Sequence, residues 1–186
     1  MDGAVRALTD RAEISELLAR YCRVVDRLDE TLLRSCFHPD SQHDHGYAGP
    51  SETFVGYAMD VLRGCVATHH QLGNISIVVR GDRAEAESYF TAYHRVSATP
   101  PEAFADAPGM DLTISGRYID RLERRLGEWR IIHRVGVHDW RRYEAPADRG
   151  FFDLPADERG RRDHEDPAYR GGGSGLTPGR PCEISD

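Results

Sequence analysis

An aspartate, Asp26, and one of two adjacent histidines, His69 or His70, could together carry out proton transfer. Asp26 lies late in an apolar helical pattern, where a carboxylate is desolvated unless a cation or a hydrogen-bond donor meets it. Taken alone, it could equally be an exposed helix acid beside Arg23 and Arg27. His69 and His70 open a strand-like segment, and only one of them can face the interior because strand side chains alternate. A histidine oriented by a buried aspartate would be a usable general base near neutral pH.

An arginine and two tyrosines are further candidates. Arg134 lies in IIHRVGVHDW, where strict alternation places it on the side opposite Ile131. Flanking Ile and Val residues indicate burial, and a buried guanidinium needs an anion: either a protein carboxylate or charge developing on a substrate. Tyr21 and Tyr118 lie on expected interior faces, where most tyrosines are core residues with a satisfied hydroxyl. Both alternatives remain open for all three residues.

The sequence contains no recognisable metal or cofactor motif. His43 and His45 have the H-x-H spacing of metal ligands, but no third ligand with matching spacing is evident, so no metal is expected. There is no GxSxG elbow, no phosphate-binding glycine loop, no GxGxxG after a strand and no HExxH. Proton chemistry without a cofactor is therefore predicted. Without CxxC spacing, the cysteines are interpreted as small buried hydrophobic residues plus one tail thiol: Cys22, Cys36, Cys65 and Cys182.

Composition limits the class of protein. The chain has 186 residues, a mass of 20.9 kDa and a formal net charge of −7, which predicts one soluble domain with an appendage. A net-acidic chain lacks the clustered cations that nucleic-acid binding requires. No apolar run approaches the roughly 20 residues that cross a bilayer. The first residues, MDGAVRALTDRAEISE, do not resemble a signal peptide. We expect a cytoplasmic protein with neither a nucleic-acid nor a membrane partner.

Hydrophobic periodicity predicts helices followed by strands. A helix over residues 10–29, with Thr9 or Asp10 as its N-cap, precedes a short helix at 30–37 and a third at 50–65. Four segments rich in β-branched and aromatic residues follow, and tight links join the first to the second and the third to the fourth. This order favours an α+β fold in which an antiparallel sheet curls around the helices.

The chain divides into a folded unit and an extension. Residues 1–144 carry all the periodic segments and are predicted to form the domain. Residues 145–186 have little periodicity and a polar, glycine-rich end, so they are expected to pack partly on the domain or on a neighbouring subunit, with a flexible end. The apolar spot expected to make that contact comprises Phe151, Phe152 and Leu154.

Three segments resemble the SnoaL-like branch of the nuclear transport factor 2-like superfamily: YCRVVDRLDETLLRSCF, THHQLGNISI and DRLERRLGEWRIIHRVGVHDW. The resemblance covers about residues 8 to 143 and implies a cone-shaped α+β barrel. The combination of Tyr21, Asp26, His70 and Arg134 is similar to that of cofactor-free lyases in this group. These lyases include scytalone dehydratase, bile acid 7-alpha-dehydratase and hexachlorocyclohexane dehydrochlorinase.

The resemblance implies a β-elimination on a hydrophobic cyclic small molecule. His70, preferred over His69 from the spacing of HQLGN, would take a proton with Asp26 orienting it. Tyr21 or Arg134 would assist a leaving hydroxyl or halide, or stabilise an enolate oxygen. The resemblance also implies a homotrimer, with a dimer next. Residues expected to bind the substrate are Tyr118, His138, Leu72 and Tyr57.

Two other functions stay open. One is an isomerase or polyketide cyclase of the same fold, similar to ketosteroid isomerase, in which a carboxylate is the base. The other is a non-catalytic subunit or binding module that resembles the β subunit of ring-hydroxylating dioxygenases. Replacement of His70 separates the first from the lyase, because an aspartate-based isomerase should lose much less activity.

Overall fold

A helical N-terminal part precedes a long meander of strands. The computed structural model describes residues 3–147, 154–155 and 158–170. Its elements are α1 (Gly3–Arg27), α2 (Glu30–Ser35), β1 (Phe37–Asp44), β2 (Ala48–Pro50), α3 (Ser51–Arg63), β3 (Cys65–Arg80), β4 (Arg83–Val96), β5 (Asp111–Arg125), β6 (Glu128–Glu144) and α4 (Pro167–Arg170). A short 3₁₀ helix, Glu102–Phe104, lies in the loop between β4 and β5.

Helix α1 buries the apolar face that its periodicity predicts, but it begins earlier than expected. Thr9 and Asp10 lie inside the helix, so the predicted N-cap is wrong. The reason is that the buried Asp10 carboxylate accepts hydrogen bonds from Arg124 and from the indole of Trp129, at 3.3 Å for the latter. This aspartate therefore ties the helix to the sheet instead of capping a helix end.

Six strands form one open, curved sheet in the order β2-β1-β6-β5-β4-β3. All neighbouring pairs are antiparallel except β1 with β6, which is parallel. The predicted α+β fold with helices against a curving sheet is confirmed. Within the described residues β2 and β3 each have one neighbouring strand, so the sheet does not close into a complete barrel.

The concave face of the sheet and the helices enclose the core. Inward residues alternate along β4 and β5, as the period of a strand requires. An irregularity interrupts this alternation in β6, because Leu122 pairs with Ile131 whereas Arg121 pairs with His133. Ile131 and Arg134 are consequently both buried. The prediction that they lie on opposite sides is wrong, because a β-bulge shifts the register by one residue.

The described part of the C-terminal extension contacts the end of α1. The guanidinium of Arg27 lies 3.2 Å from the buried carboxylate of Asp166, and Tyr169 donates a hydrogen bond of 3.3 Å to Asp29. Leu154 is exposed. Phe151, Phe152 and the glycine-rich end lie outside the described residues.

The cysteine interpretation agrees with the structure where it applies. Cys22, Cys36 and Cys65 are buried free thiols, and Cys182 lies outside the described residues. Burial raises the pKa of the Cys22 thiol to about 12, which keeps it protonated and unreactive. No helix in the described part of the chain is long and apolar enough to span a membrane.

Candidate active site

Asp26 and His70 form a doubly hydrogen-bonded pair between α1 and β3. His70 Nδ1 lies 2.8 Å from Asp26 Oδ1, and the backbone N–H of His70 donates to Asp26 Oδ2 at 2.8 Å. Their side chains are only 9% and 8% exposed. Because the ionised carboxylate occupies Nδ1–H, Nε2 of the neutral ring is left as the proton acceptor.

The charge of Asp26 is stabilised despite its burial. Burial by itself raises the pKa of this carboxyl group, but the hydrogen bonds from the ring and the backbone N–H of His70, together with the charge of the ring in its protonated form, outweigh it. The net result is a pKa below the ordinary value of an aspartate. Asp26 is therefore an anion at neutral pH and can stabilise an imidazolium that forms beside it.

The two adjacent histidines face opposite sides of β3. His69 is exposed and pairs in register with Tyr93, whereas His70 pairs with Ala92 on the concave side. The His70 ring also lies edge-on to the buried His94 ring, with 5.2 Å between centroids. The alternation expected of a strand thus places only His70 beside the aspartate.

Arg134 is fully buried in an ion pair with Asp120. Its Nε and Nη2 donate to the two carboxylate oxygens at 2.7 and 2.8 Å. The guanidinium also lies between the rings of Tyr21 and Tyr118, at 4.0 and 4.2 Å from their centroids. Of the two anions considered from the sequence, the structure contains the protein carboxylate. Nη1 of Arg134 is buried with no hydrogen-bond partner among the described residues.

Both tyrosines beside Arg134 keep their protons. Burial raises the pKa of Tyr21 to about 12, although the charge of Arg134 lowers it. Burial also raises the pKa of Tyr118 well above its ordinary value. These phenols can therefore donate hydrogen bonds to an oxygen but are poor proton acids.

The expected substrate-binding residues are only partly brought together. Tyr118 faces the interior, where it stacks on Phe90 with 4.3 Å between centroids. Leu72 is half-buried and pairs with Phe90 in register. His138 is exposed and contacts His45, with 3.0 Å between their Nε2 atoms. Tyr57 is also exposed, at 36%, and donates its hydroxyl from α3 to the carbonyl of Gly46 at 3.2 Å.

Sequence reasoning missed several interior residues. The sequence pattern gives no role to Asp120 and indicates His45 only as a possible metal ligand. His94 could have been found from the alternation of β4, since it shares a face with Ala92 and Phe90. Among the described residues, no group of three or more histidine, cysteine, aspartate or glutamate side chains could hold a metal ion.

Arg162 from the C-terminal extension supports the end of α1 that carries the pair. Its Nη1 donates to the carbonyl of Cys65 at 2.5 Å, and its Nε to the carbonyl of Asp26 at 3.4 Å. Burial lowers the pKa of this guanidinium, and the nearby Cys65 and Asp26 oppose that effect. A residue distant in sequence thus fixes backbone beside the aspartate.

Replacing Arg162 with alanine should lower the free energy of unfolding by about 1–3 kcal/mol, because buried carbonyls lose their donor. Urea denaturation measures this. Arg161→Ala is the matched control, since this side chain is 41% exposed, forms a surface ion pair with Asp163 and should cost at most about 1 kcal/mol. Equal losses in the two variants would contradict a specific role for Arg162.

The fold and the site define a class of protein: an α+β cone that encloses a histidine held by a buried aspartate. The chain belongs to the SnoaL-like domain family, whose model matches residues 6–135. A curated relative, the uncharacterized protein Rv2910c of Mycobacterium tuberculosis (strain ATCC 25618 / H37Rv), is 32% identical over 136 residues. That match covers 71% of this chain and 87% of the relative.

Solved structures share the fold. The Kfla4162 protein from Kribbella flavida is 24% identical with a TM-score of 0.64, covering 73% of this chain and 95% of that one. A type 2 hexachlorocyclohexane dehydrochlorinase (LinA) is 20% identical with a TM-score of 0.67, covering 83% of this chain and 99% of that one. At these identities the likeness establishes the fold and not the reaction.

Proposed function

We propose that this protein is a cofactor-independent lyase that carries out β-elimination with His70 as the base. The observation that supports this most is the double contact of Asp26 with the ring and the backbone of His70. It fixes the ring orientation and tautomer and leaves Nε2 to accept a proton. The SnoaL-like family and the dehydrochlorinase among the structural neighbours agree with a lyase of this type.

The proposed step is a proton transfer coupled to departure of a leaving group. His70 Nε2 takes a proton from a carbon beside an activating group, and the C–H electron pair becomes the new double bond. The bond to a hydroxyl or halide on the neighbouring carbon breaks, and the leaving group departs with that bond's electrons. Imidazolium formed at His70 is stabilised by Asp26 and returns its proton to the leaving group or to water.

Tyr21 is the proposed hydrogen-bond donor to oxygen, with Arg134 acting behind it. The phenol remains protonated and lies against the guanidinium. Arg134 is completely buried, so it does not contact the substrate itself. Its proposed role is to polarise Tyr21 and hold it in place. Preorganised donors of this kind stabilise developing oxyanion charge.

The surroundings favour a hydrophobic cyclic substrate. Aromatic rings of the core lie on the concave side of the sheet, where Phe90 stacks on Tyr118 and Phe37 is edge-on to Tyr21 at 6.1 Å. Flat apolar walls with a few polar groups are typical of sites for small cyclic ligands.

An aspartate-based isomerase has less support. Both oxygens of Asp26 accept hydrogen bonds from His70, and both oxygens of Asp120 accept them from Arg134. Both oxygens of each of these two carboxylates therefore already accept a hydrogen bond, whereas Nε2 of His70 has no partner among the described residues.

The test is a screen of cyclic β-hydroxyketones and halogenated cycloalkanes for elimination in metal-free buffer with a chelator. An active compound should lose kcat/KM by about 10²–10⁴-fold in His70→Gln, because a positioned base contributes that much. His69→Gln is the matched control on the exposed side and should keep wild-type activity. Undiminished turnover in His70→Gln, with the variant folded by circular dichroism, would rule out the proposed base.

A further inference from the structure

His45 and His138 form a histidine pair on the concave side of the sheet that the elimination itself does not use. Their Nε2 atoms lie 3.0 Å apart, and the ring centroids are 5.1 Å apart at nearly a right angle. His45 directly follows β1 and His138 lies in β6, and these two strands are parallel neighbours in the sheet. Such a contact requires one ring to donate its Nε2–H to the other.

The position of the His45 ring is built into the sheet. A Cβ at Gly136 would lie 2.2 Å from Cδ2 of His45, so only glycine leaves room for the ring there. The ring is edge-on to Tyr118 at 5.5 Å and to Phe90 at 6.1 Å. The histidine pair therefore borders the same aromatic walls that are proposed to hold the substrate.

The histidine pair is electrically neutral at physiological pH. Burial lowers the pKa of His45 to about 3, and His138, Arg134 and His70 each add to that effect. Burial, with a smaller contribution from Arg141, also lowers the pKa of His138. The other ionisable side chains that face the pair are His43, with its centroid 6.0 Å from His45, and Tyr118, which stays protonated.

A neutral pair has unused hydrogen-bonding capacity. The donating ring has a bare Nδ1 that can accept, and the accepting ring has an Nδ1–H that can donate. Nδ1 of His45 has no partner among the described residues and is not fully enclosed by them. A fixed polar atom beside aromatic rings, with no partner in the described part of the chain, suits an uncharged polar group of a ligand.

We propose that the histidine pair is a binding subsite for a carbonyl or hydroxyl oxygen on the substrate ring, distinct from the reacting carbon at His70. This inference rests on the proposed function and narrows it: the substrate is an oxygenated cyclic compound and not a purely halogenated hydrocarbon. A neutral subsite also favours an uncharged oxygen over a carboxylate, since no net positive charge faces it from the pair.

Binding of a ketone and of its parent hydrocarbon tests the subsite without turnover. We expect 1-tetralone to bind roughly tenfold more tightly than tetralin, the value of one good hydrogen bond, in both wild-type protein and His70→Gln. Titration calorimetry or ligand-observed NMR measures the two dissociation constants. His45→Leu should reduce this preference to about one, whereas His45→Gln, which keeps a donor and an acceptor, should retain most of it.

Two readouts separate a binding role from a structural one. Nitrogen-15 chemical shifts of the imidazoles should change at His45 or His138 when 1-tetralone is added, and not when tetralin is added. A ketone preference that survives in a folded His45→Leu, or no preference in wild type, would overturn the subsite. A preference that persists in a protein inactive on every elimination substrate would instead remove the proposed lyase function and leave the subsite standing.

Discussion

Asp120→Ala is expected to lower the free energy of unfolding by about 3–5 kcal/mol, because it leaves a guanidinium buried without its counter-ion. Both side chains of the Arg134–Asp120 pair are 0% exposed. Burial opposes the charge of Arg134, and the Asp120 carboxylate more than compensates, so the pKa of the guanidinium is raised. Removal of the carboxylate leaves the unfavourable burial of the guanidinium charge and abolishes the compensation by Asp120. Equilibrium denaturation in urea gives the difference directly.

The Arg117–Asp139 pair provides a matched control. It has the same two-bond geometry, at 3.2 and 3.1 Å, but its side chains are 29% and 39% exposed. Asp139→Ala should therefore cost at most about 1 kcal/mol. If Asp120→Ala were no more destabilising than Asp139→Ala, burial of the Arg134–Asp120 pair would not increase its contribution to stability.

A double replacement separates the ion pair from the packing around it. Arg134→Met with Asp120→Leu removes both charges, so it should be less destabilising than Asp120→Ala alone. Tyr21 and Tyr118 would then pack on an apolar side chain instead of a guanidinium. The same double variant should lose activity in an elimination assay, because the proposed donor Tyr21 would no longer be polarised.

The strands and the first helix could be predicted from the sequence because local periodicity determines them. The segment RAEAESYFTAYHRV alternates without interruption, and β4 has the same bounds, Arg83–Val96. The start of α1 could not be predicted in this way. Asp10 resembles an N-cap in the local sequence, but its partners Arg124 and Trp129 are more than a hundred residues away.

The candidate site could be predicted from the sequence only where the alternation of side chains along a strand is enough to position a residue. His70 was expected to face inward beside Asp26, and the structure places it there. Asp120 and the histidine pair depend on which strands become neighbours and on where the register shifts. The β-bulge in β6 places Arg134 opposite Asp120, and no local pattern in either strand indicates that pairing.

Acid is expected to unfold this protein at a mildly low pH, because two buried histidines and the partly buried His45 are uncharged in the fold. Burial lowers the pKa of His43 to about 2 and that of His94 to about 3, and His45 behaves similarly. Both ring nitrogens of His43 and Nδ1 of His94 are buried without a partner among the described residues. At His94 the charge of Asp26 and a hydrogen bond with the Leu112 backbone favour an added proton, but burial outweighs them.

The sign of the effect follows from proton uptake on unfolding. In the unfolded chain each histidine binds a proton below its ordinary pKa of about 6.5, whereas the folded protein does not until pH falls to about 2 or 3. Stability is therefore fully present above about pH 6.5 and falls as the pH is lowered. Each histidine contributes about 1.4 kcal/mol per pH unit, or roughly 4 kcal/mol per unit for the three together.

Urea denaturation at pH 7.5, 6.5, 5.5 and 5.0 measures this slope. A small domain has about 5–15 kcal/mol in total, so cooperative unfolding is expected between about pH 5 and 4. In His43→Phe the new ring can stack on Phe54 as the imidazole does, with 3.3 Å between centroids. This variant takes up one proton fewer on unfolding, so the slope should fall by about 1.4 kcal/mol per pH unit. His69→Ala, on the exposed side of β3, should leave it unchanged. A free energy of unfolding that stays constant from pH 7.5 to 5.0 would show that these histidines are not held neutral inside the fold.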